Sequence, residues 1–416
     1  MAVFCGIDWA EEHHDVALVD GEGTLVAKRR ISDDAAGFTA LVQLLADAGD
    51  TEDQRIPVAI ETNRGLLVAC LRATGRQVFT INPMAVSRYR DRYSVSRKKS
   101  DAGDALVLAN ILRTDLAAHR PLPSDSPLAQ AIAVLARAQQ DAVWDRTTAH
   151  NKLRSVLREY YPAILDAFAD KRGGLLRSEA RTLLAAAPTP HAAAELSTAK
   201  LRALLTRAGL QRNIDPEAYR LREILQREYL HHPQLVEEAF GRQALALLHQ
   251  LDAACASAED LAAAAAEQFD RHPDAEIITS QPGLGSLTGA RILAEIGDDR
   301  TRFTDARSLK AYAGSAPVTR ASGKAITVLH RRVKNQRLAA TGYIWAFAAL
   351  TASPGARAHY DRRKATGDRH IAAQRNLFNR LIGILHHCLQ TRQRYDETTA
   401  FAATAIPTVA SHRRCK

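Results

Sequence analysis

Residues 1–32 read MAVFCGIDWAEEHHDVALVDGEGTLVAKRRIS, and their pattern decides the fold. Segments 2–9, 15–20 and 24–31 are short runs rich in Val, Ile, Leu and Ala, which predicts strands that bury one or both faces. Asp20-Gly21 and Gly23 supply turn chemistry between the second and third, so the strands fold back as hairpins. Working outward, the spacing predicts a helix at 35–48, a strand at 56–61, a helix at 64–74 and a strand at 77–81. Pro83 suits the first turn of a further helix. Another helix is expected over 101–114, where Ala105, Leu106, Leu108, Ala109 and Leu112 form much of an apolar stripe.

Three strands followed by alternating helix and strand is the order of an α/β, ribonuclease-H-like domain. In such a sheet the first and fourth strands are neighbours. Asp8 ends the first, in Cys-Gly-Ile-Asp-Trp, and Glu61 ends the fourth, in Val-Ala-Ile-Glu-Thr, so both carboxylates converge on one sheet edge. Asp101 and Asp104 are three apart and share a helix face. Four carboxylates around one small volume repel each other unless a cation sits among them. Mg²⁺ (or Mn²⁺) suits such a set, because it takes a few carboxylates, waters and phosphate oxygens. A pair of such ions can activate an attacking oxygen and stabilise a leaving one. A plainer reading stays open: an Asp at a strand end is commonly a turn residue, and Asp101 can simply cap its helix.

The surroundings favour the metal reading. Between 88 and 99 stand Arg88, Arg90, Arg92, Arg97, Lys98 and Lys99 against one acid, Asp91, with Tyr89 and Tyr93 interleaved. Just before two candidate metal ligands, such a run is expected to clamp a phosphate backbone, Arg97, Lys98 and Lys99 foremost. His13 and His14 read as surface residues, and the pairs His231-His232 and His386-His387 have no support as ligands.

At 416 residues, two or three domains are expected. Hydrophobic residues make up 46% and charged residues 25%, an ordinary soluble composition, and the net charge of +10 favours a polyanionic partner. The five cysteines are scattered without a CxxC pair, so neither a disulfide framework nor a zinc site follows. The first residues reach acids too soon for a signal peptide, and no apolar run is long enough to span a bilayer. A cytoplasmic protein with no membrane contact is expected.

After a first domain at 1–125, residues 126–272 turn to Ala, Leu, Arg and Glu, with long helices expected at 128–160, 193–209 and 234–270. This helical, coiled-coil middle carries no chemical motif. A mainly α C-terminal domain is expected at 273–398, followed by a disordered tail at 399–416. Pro282-Gly283-Leu284-Gly285 resembles a dinucleotide loop, but the last glycine of that pattern is Thr288 and no βαβ unit follows. A hairpin between two helices fits better, with Gly283 and Gly285 able to bring amides to a phosphate; an ordinary helix-helix turn fits equally.

From 300 to 343 there are ten Lys or Arg and one acid, Asp305. A solvated face would mix signs, so nucleic-acid contact is expected, with Arg320, Lys324, Arg331 and Arg332 as candidates. Arg320-Ala-Ser-Gly-Lys324 lies inside this stretch. Most Ser-Gly pairs are turns. A serine between two cations also has what a phosphoryl-transfer nucleophile needs, and Ser322 stands there.

Together these motifs resemble the insertion-sequence-one-ten family of bacterial transposases, relatives of the Piv and MooV DNA invertases. The resemblance covers most of the chain: a RuvC-like D-E-D-D set at Asp8, Glu61, Asp101 and Asp104, then Pro282–Gly285, Phe303…Tyr312-Ala313-Gly314…Pro317 and Ser322-Gly323. Asn63 stands where the family often has glycine, and the segment after Ser322 is less glycine-rich than the family pattern. The resemblance implies a recombinase acting on donor and target DNA, in which metal-bound carboxylates assist attack by Ser322 on a DNA phosphate to give a 5′-phosphoserine intermediate. It also implies dimers pairing into tetramers, a dimerising coiled coil, and guidance by a structured bridge RNA. The competing readings are a RuvC-like nuclease that uses water, and a nucleic-acid-binding protein without catalysis.

Overall fold

The computed structural model describes residues 2–93, 101–323 and 325–401. The chain forms two compact units, Met1–Ser124 and Asp125–Lys416. Arg97, Lys98, Lys99 and Lys324 lie outside the described residues.

The first unit is built on β1 (Val3–Trp9), β2 (His13–Asp20), β3 (Leu25–Ser32), α1 (Ala35–Asp47), β4 (Val58–Ile60), α2 (Leu66–Ala73), β5 (Val78–Thr80), α3 (Pro83–Tyr93) and α4 (Asp101–Asp115). Its five strands lie in the order β3-β2-β1-β4-β5. β1 to β3 pair antiparallel, as tight hairpins require, while β4 and β5 return through helices and so pair parallel. The strands expected at 56–61 and 77–81 shrink to three residues each, and the second strand starts at His13, not at 15.

Alternation along β1 sorts its side chains between two layers. Cys5 and Ile7 enter a core with Val58, Ile60, Leu41 and Leu45, the last two from α1. Gly6 and Asp8 face the other way, toward α4. A β-carbon on Gly6 would lie 2.1 Å from the Ala105 carbonyl oxygen and 2.4 Å from the Ala109 nitrogen, so glycine here lets α4 rest directly on the strand. Leu108, Ile111 and Leu112 of α4 complete that second core with Ala59, Phe79 and Val86.

The second unit holds α5 (Pro127–Tyr160), α6 (Pro162–Ala167), α7 (Ser178–Ala186), α8 (Pro190–Ala194), α9 (Thr198–Arg207), α10 (Ile214–Leu225) and α11 (Gln234–Asp270). It continues through α12 (Ala275–Thr279), α13 (Ser286–Ile296), α14 (Ala306–Tyr312), β6 (Val318–Ser322), β7 (Ala325–Leu329), α15 (Gln336–Ala352), α16 (Pro354–Ala365), α17 (His370–Thr391) and α18 (Glu397–Phe401). The long helices expected at 128–160 and 234–270 form almost to the residue. They pack antiparallel on each other within the chain. Ile132 and Ala136 of α5 share one core with Ala265 and Phe269 of α11, whereas Leu153 and Leu157 share another with Leu248 and Leu251.

The first of these cores is completed by α13, α15 and α17, around Leu293, the fully buried Trp345 and Leu381. Residues 399–401, assigned to the tail by sequence, instead close α18, and residues 402–416 lie outside the described residues. Arg380 explains that end: its guanidinium stacks 5.0 Å from the Phe401 ring and donates to the Ala400 carbonyl. Among the described residues no helix is long and apolar enough to cross a membrane.

Candidate metal centre and serine hairpin

The register of the sheet places the acids. Ile7 pairs with Ile60 across parallel strands, so Asp8 and Glu61 follow at adjacent positions on one edge. Asp8 pairs with Asp15 across the hairpin, and Asp15 pairs with Arg30. Directly paired residues share a face, so Asp8, Asp15 and Arg30 form a row on the side that α4 covers. Asp101 and Asp104 both stand in the first turn of α4, Asp101 exposed and Asp104 buried.

The electrostatics of Asp8 register this crowding. Burial first, and then Asp104, Glu61, Asp101 and Asp15 in that order of effect, together push its carboxyl up from 3.8 to about 6. Two arginines soften the repulsion. Arg90, from the basic run expected to grip phosphate, pairs with Asp104. Arg30 lies 2.7 Å from Asp15 and 3.8 Å from Asp101. The acids around Asp8 offer hard carboxylate oxygens, which suit a Mg²⁺-like ion, and they include the expected Glu61, Asp101 and Asp104.

One participant was not foreseen. Asp15 joins the row, and ligand atoms of His13, Asp15 and Asp101 all lie within 4.8 Å of one another. The hairpin register carried that signal, since a strand from 13 puts Asp15 opposite Asp8; an expected start at 15 hid it. The surface reading of His14 is corrected. His14 is fully buried, because Asp33 pairs with its Nε2 at 3.2 Å and Trp9 stacks 6.4 Å from its ring.

In the second unit, Ser322 ends β6 and pairs with Ala325 across a tight turn in which Gly323 has φ of +55°. A hairpin, within a part expected to be mainly α, presents the Ser-Gly motif. Arg320 lies two residues before Ser322 and therefore on its face of the ribbon. Val318 is half-buried and every other described residue of the two strands is exposed.

The hairpin's feet are clamped. Asn335 donates through Nδ2 to the Tyr312 hydroxyl at 2.7 Å and to the buried Glu295 at 2.6 Å, while its backbone amide donates to the Tyr312 carbonyl at 2.8 Å. Its Oδ1 also caps α15 by accepting from Leu338 N. Lys334 packs where a β-carbon on Gly314 would stand, and Gly314 needs its φ of +71°. Asn335→Ala should therefore lower the unfolding free energy by about 2–3 kcal/mol, the loss of a helix cap plus a buried partner; urea denaturation measures it, and a change under about 0.5 kcal/mol, the ordinary surface effect, refutes the clamp.

Other candidates are reassigned or left as they stood. Arg331 donates to the Ala316 carbonyl at 3.3 Å, and Arg332 is exposed. Gly283 and Gly285 form the expected turn between α12 and α13, and Gly283 rests on the backbone of Ala348 and Ala349. Of the basic stretch, Arg300 pairs with Asp274, Arg337 is bidentate on Asp141 at 2.7 and 2.8 Å, and Arg302 stacks on Phe303 and Tyr312. These three cations hold the unit together and leave fewer for nucleic acid than the sequence suggested.

Comparison with known proteins finds two family matches along the chain. Residues 5–162 match the IS110 family of DEDD transposases, described as "Transposase", and residues 275–361 match the "Transposase IS116/IS110/IS902 family". The "Mini-circle putative transposase for IS117" of Streptomyces coelicolor is 64% identical, over 97% of this chain and 97% of its own length. The "Insertion element IS900 uncharacterized 42 kDa protein" of Mycobacterium paratuberculosis is 30% identical over 96% of this chain and 99% of its own. A likeness of that extent, over nearly the whole length of both chains, places the chain in the IS110 family of transposases.

Proposed function

We propose that this transposase cuts and rejoins DNA with a serine nucleophile, Ser322, assisted by divalent metal on Asp8, Glu61, Asp101 and Asp104. The observation that carries the reading is the crowding of carboxylates around Asp8, which is costly without a cation. The strand order β3-β2-β1-β4-β5 supports a ribonuclease-H-like, RuvC-like first unit. Bound Mg²⁺ or Mn²⁺ would supply Lewis acidity toward a phosphate oxygen.

The chain's own residues do the rest. The Ser322 Oγ attacks a DNA phosphorus and the P–O3′ bond breaks. The hydroxyl proton leaves to a carboxylate or water, and the departing 3′ oxygen takes one up. A 5′-phosphoserine remains. Attack on it by another strand's 3′ hydroxyl reverses the balance, restores the serine and conserves the phosphodiester. Arg320, on the same face as Ser322, offsets the charge of the transition state, and Lys324 is proposed beside it. Arg97, Lys98, Lys99, Arg331, Arg332 and the amides at Gly283 and Gly285 are proposed to hold backbone phosphates.

We further propose that the acids of one subunit serve the serine of another, that the helical stretch 126–272 dimerises the chain and the dimers pair into tetramers, and that a structured guide RNA selects donor and target. The serine-bearing part would then be 273–398. The test is a denatured gel of protein with DNA and Mg²⁺. A covalent adduct should form with the natural chain and be lost in Ser322→Ala. Free DNA ends without adduct in both would instead establish hydrolysis by water. Mixing Ser322→Ala with Asp8→Asn should restore adduct formation if the two halves come from different subunits.

A further inference from the structure

At the foot of the hairpin, α15 and α17 enclose a cavity of about 140 Å³. That is several times the ~30 Å³ share of a liquid water. Its walls are apolar and aromatic: Phe378 is buried, while Tyr343 and Ile371 remain 45% and 62% exposed. Large side chains left open at the rim of a cavity are what a docked ring would cover.

Behind the wall, Gln374 is fully buried and ties α17 to α15, its Nε2 donating to the Tyr343 carbonyl at 2.9 Å.

The rim is cationic. Lys334 and Arg375 both line it, and neither has an ion pair with a carboxylate among the described residues. Lys334 Nζ lies 3.2 Å from His330 Nε2, and His330 lines the cavity too. The site thus combines an aromatic slot and two cations without a carboxylate partner. A free aromatic ring needs no cations, and a bare phosphate needs no slot. A nucleotide needs both.

We propose that this cavity takes the base of one unpaired nucleotide, stacked against Tyr343, with its phosphate held by Lys334 and Arg375. A base stacked in a duplex cannot enter, so the ligand is a nucleotide that is single-stranded or turned out of its helix. Every base has a π-face, so stacking seats a base without choosing which. Lys334 precedes Asn335, which ties α15 to Tyr312, and His330 follows β7 directly. An occupied pocket would hold the strand against the base of the hairpin that carries Ser322. The inference rests on the transposase reading for its ligand class, and on the cavity for its place.

The experiment uses the full-length chain and fluorescence anisotropy with short probes: a DNA single strand, an RNA of the same sequence, the blunt DNA duplex, and abasic versions of both single strands. Stacking is worth about 1–3 kcal/mol per base. Tyr343→Ala should therefore weaken binding of a single strand about tenfold and leave the duplex unchanged, while Tyr343→Phe keeps full affinity. The natural chain should bind the abasic strand as weakly as Tyr343→Ala binds the intact one. A loss on DNA, on RNA or on both supports the pocket and names its source. An equal loss on duplex and single strands, or no loss at all, overturns it. Because Tyr343 is half exposed, its truncation should leave the thermal midpoint within about 2 °C (a ΔΔG of roughly 0.5 kcal/mol). A natural chain that binds duplex DNA but ignores the abasic change sinks the pocket alone. A chain that binds no nucleic acid sinks the transposase reading as well.

Discussion

Asp8→Asn is expected to abolish DNA cleavage and at the same time to make the metal-free protein more stable at neutral pH. The two effects have one cause. Asp8 lies among Glu61, Asp101, Asp104 and Asp15, and its carboxyl is pushed up to about 6 by burial and by those neighbours. In the unfolded chain it titrates near 3.8. Between these values the native state holds a proton that the unfolded state has released. The group's favourable contribution is therefore complete below about pH 4 and is lost as pH rises through about 6. Above that, the folded, metal-free protein carries an unfavourable charge.

A shift of roughly two units corresponds to about 3 kcal/mol, and partial solvation of Asp8 reduces this to about 1–2 kcal/mol. Asp8→Asn removes that cost, so the thermal midpoint in chelator at pH 7.5 should rise by about 3–8 °C. Added Mg²⁺ should raise the midpoint of the natural chain and leave that of the variant nearly unchanged. Cleavage should fall by about a thousandfold, since Lewis-acid stabilisation is worth several kcal/mol. A variant less stable than the natural chain in chelator, or one equally stabilised by Mg²⁺, contradicts a metal site at Asp8. Mg²⁺ stabilisation should also fade as pH drops below 6, where protons compete for the same oxygens.

Much of this site was legible because it depends on local pattern. Asp8 and Glu61 each end an apolar run, and strand neighbours in a mixed sheet follow from the order of elements. Asp101 and Asp104 share a face by helical spacing alone. Asp15 was hidden because its role depends on where β2 begins, and strand ends are the weakest part of any pattern. His14 was misread because a polar residue beside a turn looks solvated until Asp33 and Trp9 close over it. The hairpin at 318–329 was missed for a physical reason: an exposed two-stranded ribbon buries little, so it leaves no clean alternation of apolar and polar residues. Its stability comes from its feet, through Asn335, Tyr312 and Gly314, which lie outside the strands themselves. Likewise the share of the basic stretch that is structural depends on Asp274 and Asp141, far away in sequence.

The second large effect is expected from a residue with no chemistry of its own. Gly6→Ala should destabilise the first unit by about 3 kcal/mol, the upper end for an overpacked core, although it adds a single methyl group. The new carbon would meet the Ala105 carbonyl oxygen at 2.1 Å and the Ala109 nitrogen at 2.4 Å. Both are backbone atoms of α4, so no rotamer change relieves the clash; the helix must move off β1. Asp104 moves with it, because it stands one residue before Ala105. The variant should therefore lose Mg²⁺-dependent stabilisation as well as intrinsic stability, even in molecules that remain folded. Gly21→Ala is the matched control, since the nearest atom to its added carbon is 4.0 Å away, and its effect should stay within about 0.5 kcal/mol. Urea denaturation of both variants, with and without Mg²⁺, separates the two consequences. If Gly6→Ala matches the control, α4 does not rest on β1 as described, and nothing then holds Asp104 beside Asp8. If it is destabilised yet still gains the full Mg²⁺ increment, the metal does not depend on α4, and Asp101 and Asp104 drop out of the proposed ligand set.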